Sequence, residues 1–559
     1  MKMKKRMFTL VLAILMCLML LSSCNGNKNN STTTDQPSQP PQQSQQPSPT
    51  PGATSSTKPP EESGAPNNPT VAPPPEAVYA EKITIIISNN KISVLDACNP
   101  GSAADTVTWS LNALLDRLFE IDNANIGEYK NGLALSYETK DMQHVTFKLR
   151  DDVYFHNGEK FTAQDVAFTI DRAKENPGTN IFDRMNKIES YEIVNDYTIT
   201  INYAKVNVDF IADLAAPHCG IVSKNALTKD PDKGFLIGTG PWAIAEFVPD
   251  DFVRFVRNDK YWGELPKTKE MTFKFIAEES TRLTMLENKD VQVAFSINPM
   301  DFPYLEQNTD KFDTYSWIVN NVGYLAFNMT DPITSDINFR RAVASAIVRS
   351  DMILTGRNGY AVEPDHGSFW GYGTDYKNTD IPRIPYDLAA AKAYLEQSNY
   401  DGSTIKIFAA ISDYIKMAEV LQQQLKKIGV ESEVVQTDTV GLAAATKWGE
   451  NKTQIILHTG TWLVPASSGR IYFAPGGSNN RASYSNQEVV DLFDRAQTTV
   501  NEAERKAMYR KIQEIVAEDL AYLSICNIRH IAGALKGVGG LSLNQSSNHN
   551  LSYTYQVIG

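Results

Sequence analysis

Apolar and polar residues alternate along Val145–Leu149, and this pattern predicts a strand with one buried face. A few residues later Asn157-Gly158 predicts a tight turn, because both residue types tolerate a positive φ. Thr162 has Asp165 three residues after it, the spacing of a capping box, and an apolar helical run follows. None of these residues is chemically reactive, so the stretch predicts scaffold rather than a catalytic site.

The same mixture of helical and extended patterns continues to the end of the chain. Continuous apolar runs predict buried strands at Ile83–Ile87 and Ile455–Leu457. Apolar residues at three- and four-residue steps predict helices, which cover Val107–Phe119, Ile415–Ile428, Glu488–Val500 and Glu504–Glu518. Further strands are expected at Glu431–Gln436 and Ala521–Ile525. Residues 81–559 are too many for one hydrophobic core, so we expect an α/β protein with two or more lobes.

The first 23 residues have the pattern of a secretory signal peptide. Four basic residues precede the apolar run Met7–Leu21, which is shorter than the roughly 20 residues that a membrane span needs. The run ends in Leu21-Ser22-Ser23-Cys24, which resembles a lipobox, where bacterial lipoproteins are diacylated on the cysteine and cleaved before it. The alternative is an ordinary cleavage site beside an unrelated cysteine. We predict a lipid anchor on Cys24, since two acyl chains suffice for stable membrane attachment.

Residues 24–80 form a low-complexity segment rich in Pro, Ser, Thr, Gln and Asn. The segment carries 13 of the 28 prolines and no aromatic residue before Tyr79, so it is predicted to be a disordered tether. Without residues 1–23 the formal net charge changes from −12 to −16. This acidity argues against nucleic acid and anionic lipid surfaces as partners.

Cysteine and histidine usage predicts neither a disulfide framework nor a metal site. Cys98, Cys219 and Cys526 remain once the leader and the predicted lipid site are set aside, an odd number at wide spacing. One bridge with one free thiol stays open. The seven histidines include no pair at H-x-x-H or H-x-x-x-H spacing.

The stretch from Phe147 to Val166 resembles the signature of the family 5 solute-binding proteins, which deliver oligopeptides, dipeptides, nickel and some sugars to ABC transporters. The family pattern reads roughly F-x-L-R-x-x-V-x-F-H-x-G and then T-A-x-D-V, and the matching residues are Phe147, Leu149, Arg150, Val153, Phe155, His156, Gly158, Thr162, Ala163, Asp165 and Val166. Other segments resemble family motifs in the family order, namely Gly132–Tyr137, Gly238–Trp242, Arg257–Gly263, Tyr324–Asn328 and a helix at Phe339–Arg349. These motifs indicate the fold and leave the ligand open.

The resemblance implies an α/β, two-lobed, periplasmic-binding-protein-like fold of class II, the large family 5 type, with an extra subdomain in lobe I. On the family's plan, lobe I comprises residues 81–125, 230–327 and 518–559, the inserted subdomain 126–229 and lobe II 328–517. The resemblance also implies a monomer with no cofactor and no catalytic residue. Such a protein closes about a hinge on a small ligand and meets the permease subunits of an ABC importer at the outer face of the cell membrane.

One departure from the family bears on the ligand. Peptide-binding members carry an aspartate after the strand that corresponds to Ile455–Leu457, in a pattern like W-x-x-D-x-x-D-P, and it pairs with the peptide's α-amine. This chain retains Trp462 but has no carboxylate from Asn451 through Gln487. Because a buried ammonium without a counter-charge costs several kcal/mol, we expect a peptide-like solute that is not held by a free amine. An oligosaccharide or a nickel chelate is the alternative within the family.

Five residues are candidate ligand contacts, namely Trp462, Tyr472, Asn328, His458 and Ser102. Ser102 belongs to the loop after the first predicted strand, where open α/β sheets tend to bind ligands. Packing inside a lobe is the competing interpretation for the aromatic residues, and hydrogen bonding within the hinge is the competing one for Asn328. Two other classes stay open, a secreted enzyme such as a wall hydrolase and a sensory lipoprotein. The enzyme hypothesis finds no support, because the sequence contains no G-x-S-x-G, H-E-x-x-H or P-loop motif.

Overall fold

A computed structural model describes residues 77–88, 92–99, 105–122, 127–370, 376–461, 466–545 and 549–558. The strands are β1 Lys82–Ser88, β2 Phe119–Ile121, β3 Tyr129–Asn131, β4 Ala134–Thr139, β5 His144–Leu149, β6 Ile188–Asn195, β7 Thr198–Tyr203, β8 Trp242–Val248, β9 Phe252–Arg257, β10 Glu270–Phe275, β11 Val293–Phe295, β12 Phe312–Phe327, β13 Ala361–Val362, β14 Ile405–Ala409, β15 Ser432–Gln436, β16 Ile455–Thr461, β17 Tyr522–Leu535, β18 Val538–Gly539 and β19 Tyr555–Gln556. The helices are α1 Asp105–Leu114, α2 Ala163–Lys174, α3 Asn180–Met185, α4 Phe210–Ala215, α5 Lys224–Lys229, α6 Glu279–Glu287, α7 Phe302–Gln307, α8 Ile337–Ala346, α9 Arg349–Arg357, α10 Leu388–Glu396, α11 Ser412–Lys426, α12 Thr439–Ala445, α13 Arg470–Phe473, α14 Gln487–Thr498 and α15 Glu502–Asp519. No helix in these ranges is long and apolar enough to cross a membrane.

One sheet extends through most of the described chain. Its strands follow the order β15-β14-β16-β12-β17-β11-β1-β10-β9-β8, and β13 pairs with β17 outside this order. β1 lies parallel to β10 and β11, while β14 lies parallel to β15 and β16. Such parallel strands are covered on both faces, which explains why both apolar runs predicted to be buried strands are buried in β1 and β16.

Two long antiparallel strands, β12 and β17, join the two halves of this sheet. Their pairing shifts in register, because Ile318 lies opposite Arg529 and the next pair joins Val322 to Asn527. Three residues of β12, Val319–Asn321, therefore face a single residue of β17. A bulge of this kind bends a strand and increases its twist, so the sheet turns at this point. We call Val319–Asn321 and the residues that pack on it the hinge.

The hydrophobic cores divide at the same place. One core includes residues of β12 as far as Val319 and residues of β17 from Ile528 onward. Two further cores begin at Val322 and end at Cys526. The molecule thus has two lobes joined by two strands, and the residue bounds predicted for each lobe and for the inserted subdomain remain a prediction.

The stretch that begins the signature forms a four-stranded antiparallel sheet with a helix behind it. The sheet order is β4-β5-β7-β6, and β5 buries its three apolar residues as the alternation predicts. Thr162 caps α2, and both halves of the predicted capping box with Asp165 are formed. The second oxygen of Asp165 accepts a hydrogen bond from the Lys224 backbone at 3.0 Å, which ties α2 to α5. Gly158 has a φ of +85°, as its predicted turn requires.

The other signature residues also build the scaffold. His156 accepts a hydrogen bond from the Gly238 backbone at 3.2 Å and donates one to the Gly240 carbonyl at 3.0 Å. A Cβ atom on Gly238 would lie 2.0 Å from the carbonyl oxygen of Leu114. The glycines of the Gly238–Trp242 segment thus allow its backbone to approach the end of α1.

Three predicted elements have different bounds in the structure. The helix predicted at Phe339–Arg349 is two helices, because the side chain of Gln424 bonds both backbone groups of Val348 and holds the chain extended there. The helix predicted at Val107–Phe119 ends at Leu114, whose carbonyl accepts a bond from Gly240 instead. The strand predicted at Ala521–Ile525 continues to Leu535 because β12 and β11 pair with its second half.

Candidate ligand-binding site

The end of β16 lies beside the hinge. This strand pairs with β12 from Ile455 opposite Phe327 to Thr461 opposite Asn321. Its carboxyl end is therefore the point where the two lobes join. Binding sites occur preferentially at domain interfaces and at the carboxyl ends of strands in α/β sheets. The candidate ligand-binding site is the region between the lobes around Asn321.

Four hinge side chains have buried polar atoms that no other described residue bonds. The atoms are Nδ2 and Oδ1 of Asn320, Oδ1 of Asn321, Nε1 of Trp317 and Nε2 of His549. Asn320, Trp317 and His549 are at most 2% exposed. An unpaired buried group costs about 1–3 kcal/mol, and native proteins satisfy nearly all such groups. The hinge therefore offers donors and acceptors that a ligand or a bound water would satisfy.

Aromatic rings hold His549 in place. Its ring lies 5.2 Å from Trp317, 4.8 Å from Trp109 and 5.6 Å from Phe295 between centroids. The Asn544 backbone N–H donates to Nδ1 of His549 at 3.2 Å, so Nε2 carries the ring proton. Burial lowers the pKa of His549 well below its ordinary value. The hinge thus presents a neutral N–H donor.

His458, which lies in the second lobe, presents a hydrogen-bond acceptor where His549 presents a donor. It lies opposite Tyr324 on β12 and is 8% exposed. Nδ1 donates to the Thr459 carbonyl at 2.5 Å, which leaves Nε2 as an acceptor without a partner among the described residues. Burial, aided by the charge of Arg481, lowers the pKa of His458 to about 4. Both histidines near the hinge are therefore neutral at physiological pH.

The two lobes also touch away from the hinge. Asp209, which follows β7, accepts a hydrogen bond from the hydroxyl of Ser467, which follows β16. Burial raises the pKa of Asp209, whereas the hydrogen bond from Ser467 lowers it; Asp213 raises it further, and Lys187 and Arg505 lower it. The two lobes are therefore in contact at a second place besides the hinge.

Comparison with known proteins identifies the family. The sequence profile described as bacterial extracellular solute-binding proteins, family 5 middle, matches residues 128–480, more than half of the chain. The chain belongs to this family. It is accordingly a solute-binding protein of an ABC importer, and family members of this kind act outside the cytoplasm as binding proteins rather than enzymes.

Individual relatives of this family 5 protein are similar along most of their length. The dipeptide-binding protein of Escherichia coli K12 is 26% identical over 493 residues, which cover 81% of this chain and 91% of the relative. The glutathione-binding protein GsiB of Pectobacterium atrosepticum is 28% identical over 484 residues, which cover 83% and 92%. The substrate-binding protein CtaP of Listeria monocytogenes superposes with a TM-score of 0.75 at 22% identity over 86% of this chain and 100% of that chain. At this identity the likeness shows the two-lobed fold alone.

The structure places the predicted ligand contacts of this family 5 protein very differently from one another. Trp462, Ser102 and the lipidation site Cys24 lie outside the described residues, and their roles stay predictions. His458 lies in β16 opposite Tyr324, three residue pairs along the ladder from Asn321 at the hinge.

Tyr472 and Asn328 have roles inside lobe II. Tyr472 is 2% exposed, and its hydroxyl donates to the Thr461 carbonyl at 3.1 Å. Asn328 follows the far end of β12, eight residues and about 25 Å from Asn320 at the usual rise of a strand. Its amide donates to the Thr453 carbonyl at 2.7 Å and its oxygen accepts from Thr330. Packing and local hydrogen bonding account for both positions, and a ligand contact by either residue is an untested prediction.

Sequence reasoning missed Asn320 and His549. The signal for Asn320 is its neighbour, since Asn320-Asn321 interrupts the apolar stretch of β12, and asparagine is depleted in strands. His549 has no comparable signal, because only the tertiary fold brings it against β12.

Metal and thiol chemistry find no support in the described part of the chain. No group of three or more His, Cys, Asp or Glu side chains there could hold a metal ion. Cys98, Cys219 and Cys526 are free and buried. Burial raises the pKa of Cys98 and of Cys526 to about 11, so these cysteines are unreactive thiols in the folded protein.

Proposed function

We propose that this protein captures a peptide-like solute in the cleft between its lobes, closes on it, and delivers it to the permease of an ABC importer. The observation that carries the proposal is the set of buried, unpaired polar atoms at the hinge. A ligand that bonds these atoms gains more from the closed state than from the open one. Such a difference in affinity is what shifts an open–closed equilibrium.

The chemistry of the hinge favours neutral hydrogen-bonding groups. Asn320 offers a donor and an acceptor, His549 a donor and His458 an acceptor, and all are uncharged. Peptide units present the complementary pattern of N–H and C=O groups. The sequence from Asn451 through Gln487 supplies no carboxylate for a free α-amine. These features support recognition of peptide groups rather than of a charged terminus.

The relatives support the same substrate class. The proteins named for dipeptide and for glutathione are both similar to this chain along most of its length. An oligosaccharide or a nickel chelate is the alternative, and each class can be tested on the same protein.

Calorimetry on the purified protein tests the proposal. Native mass spectrometry first identifies any ligand retained through purification, and partial unfolding and refolding removes it. Tri- to pentapeptides are then titrated as matched pairs with a free and an acetylated amine. We expect similar affinities within each pair. Binding that acetylation abolishes would refute recognition without the amine, and binding only of an oligosaccharide or a nickel–histidine complex would replace the substrate class.

We also propose that Cys24 is diacylated and holds the protein at the outer face of the membrane. The support is the Leu21–Cys24 boundary between an apolar run and a low-complexity segment. Cys24→Ala should release the protein from membranes or leave the precursor uncleaved. Membrane retention with normal processing in this variant would contradict the proposal.

A further inference from the structure

The second lobe contains a pocket that is separate from the cleft. Its volume is about 370 Å³, within the range of small-molecule sites. Every lining residue lies in 349–384 or 514–524, and the lining residues Leu520 and Leu523 belong to a core of the second lobe. The floor is the start of β17, and one wall is the end of α15. The proposed function makes no use of this pocket.

Arg349 lines the pocket with an incompletely bonded guanidinium. This first residue of α9 is 5% exposed. Nε donates to the Ser524 carbonyl at 3.0 Å and Nη1 to the Ile384 carbonyl at 3.5 Å. The hydrogen-bond partners of Arg349 in the described chain are thus backbone carbonyls rather than a carboxylate. Burial and the charge of Arg383 lower its pKa to about 10, and Glu363 offsets part of this shift. A buried charge of this kind needs a counter-charge or a compensating ligand.

His366 is a second residue of the pocket lining. It is 4% exposed, and the Ser368 backbone N–H donates to its Nδ1 at 3.1 Å, so Nε2 carries the proton. Nε2 is buried and has the carboxylate oxygen Oδ1 of Asp365 3.3 Å away, so it faces Asp365 rather than the cavity. Arg349 is therefore the donor that the pocket offers to an anion.

The acidic residues around the pocket already have partners or face solvent. Arg510 pairs with Asp380, and Arg383 pairs with Glu363 at 2.6 Å. Asn378 and Lys511 both contact Glu514. Glu518 is exposed. The guanidinium of Arg349 is therefore the charge in the pocket that these groups leave uncompensated.

The remaining walls are apolar. They consist of Ile381, Pro382, Ile384, Ala517, Leu520 and Leu523. An occupant must combine this apolar surface with an anionic group that can bond the guanidinium of Arg349.

We propose that this pocket binds a small carboxylate with an apolar body, at a site independent of the interlobe cleft. The carboxylate would bond Arg349, and the apolar body would pack against Leu520, Leu523 and Pro382.

Phenylacetate is a suitable probe, and phenylacetamide is its uncharged match. Binding of each to the full-length protein is measured by saturation-transfer NMR and titration. We expect phenylacetate to bind about tenfold or more tightly than the amide, because a hydrogen bond to a charged group contributes that much. Ala517→Trp should fill the pocket and abolish binding, whereas Ala507→Trp on an exposed face of the same helix should leave it unchanged. Arg349→Met should weaken phenylacetate and leave the amide unaffected.

Three results would overturn the proposal. The first is no phenylacetate binding to the wild-type protein at millimolar concentration. The second is equal binding of acid and amide. The third is phenylacetate binding that survives Ala517→Trp, which would place the probe elsewhere. Because Arg349 also bonds the β17 backbone, its variant can fail to fold, and the Ala517→Trp and Ala507→Trp pair then decides the question alone.

Discussion

Asn320→Leu should change stability and ligand binding in opposite directions. Both polar atoms of this side chain are buried and unpaired within the described chain, and the residue is 1% exposed. An unpaired buried amide costs about 1–3 kcal/mol. Leucine has the same branching of heavy atoms and no polar atom, so it should stabilise the ligand-free protein by up to about 1–3 kcal/mol. The same change removes bonds to the ligand and should weaken binding by about 5- to 150-fold, the equivalent of that energy.

The same substitution at Asn328 is the matched control. Asn328 follows the other end of β12, and its amide bonds Thr453 and Thr330. Removing a satisfied buried amide leaves its partners unpaired, so Asn328→Leu should destabilise the protein by about 1–3 kcal/mol. Ligand binding should stay unchanged. The control therefore reverses the sign of the stability change and removes the change in ligand binding.

Urea unfolding of the refolded, ligand-free proteins measures stability, and native mass spectrometry of freshly purified samples measures retained ligand. Destabilisation by Asn320→Leu equal to that of Asn328→Leu would mean that bound water already satisfies Asn320. Stabilisation with unchanged ligand retention would mean that the hinge amide does not contact the ligand. Either result would refute the reasoning that places the ligand at the hinge.

Three further changes test the contact between the lobes, the scaffold and the cleft. Burial raises the pKa of Asp209 by more than the hydrogen bond from Ser467 lowers it, so the contact between the lobes should take up a proton and be favoured as pH falls, with that advantage lost as pH rises through the raised pKa. Asp209→Asn should remove this pH dependence in small-angle scattering, and an unchanged profile would contradict it. Gly238→Ala would place a Cβ 2.0 Å from the Leu114 carbonyl oxygen and should cost about 1–3 kcal/mol in urea unfolding, as overpacking does; wild-type stability would show that the contact relaxes freely. Trp462→Ala should weaken ligand binding by about 2–4 kcal/mol with little change in stability; a large fall in melting temperature with unchanged affinity would instead make it a packing residue.

The sequence alone determined the elements whose causes are local. The alternation along Val145–Leu149 is a property of neighbouring residues, and the strand forms there with its apolar face buried. Thr162 and Asp165 are three residues apart, so the capping box forms within one turn of chain. The signature motifs predicted the two-lobed fold because their residues bond one another, as His156 does with Gly238.

The tertiary structure decided what depends on residues far apart in the chain. The helix expected to end at Arg349 breaks earlier because Gln424, more than seventy residues away, takes the backbone bonds of Val348. That break makes Arg349 the first residue of a new helix and leaves its guanidinium in a pocket. Periodicity cannot predict a competing bond of this kind, since it records only which residues are apolar.

The candidate site shows the same division most clearly. The sequence favoured Asn328 and Tyr472, which the fold places inside the second lobe with their polar atoms bonded there. It passed over Asn320 and His549, which the fold places together at the hinge. Whether a polar side chain is satisfied depends on partners brought from distant segments, as when residue 549 packs against Trp317. Sequence therefore predicted most of the strands and helices, and only the packing of β12 against β17 and the C-terminal segment decided which polar groups stay without a partner among the described residues.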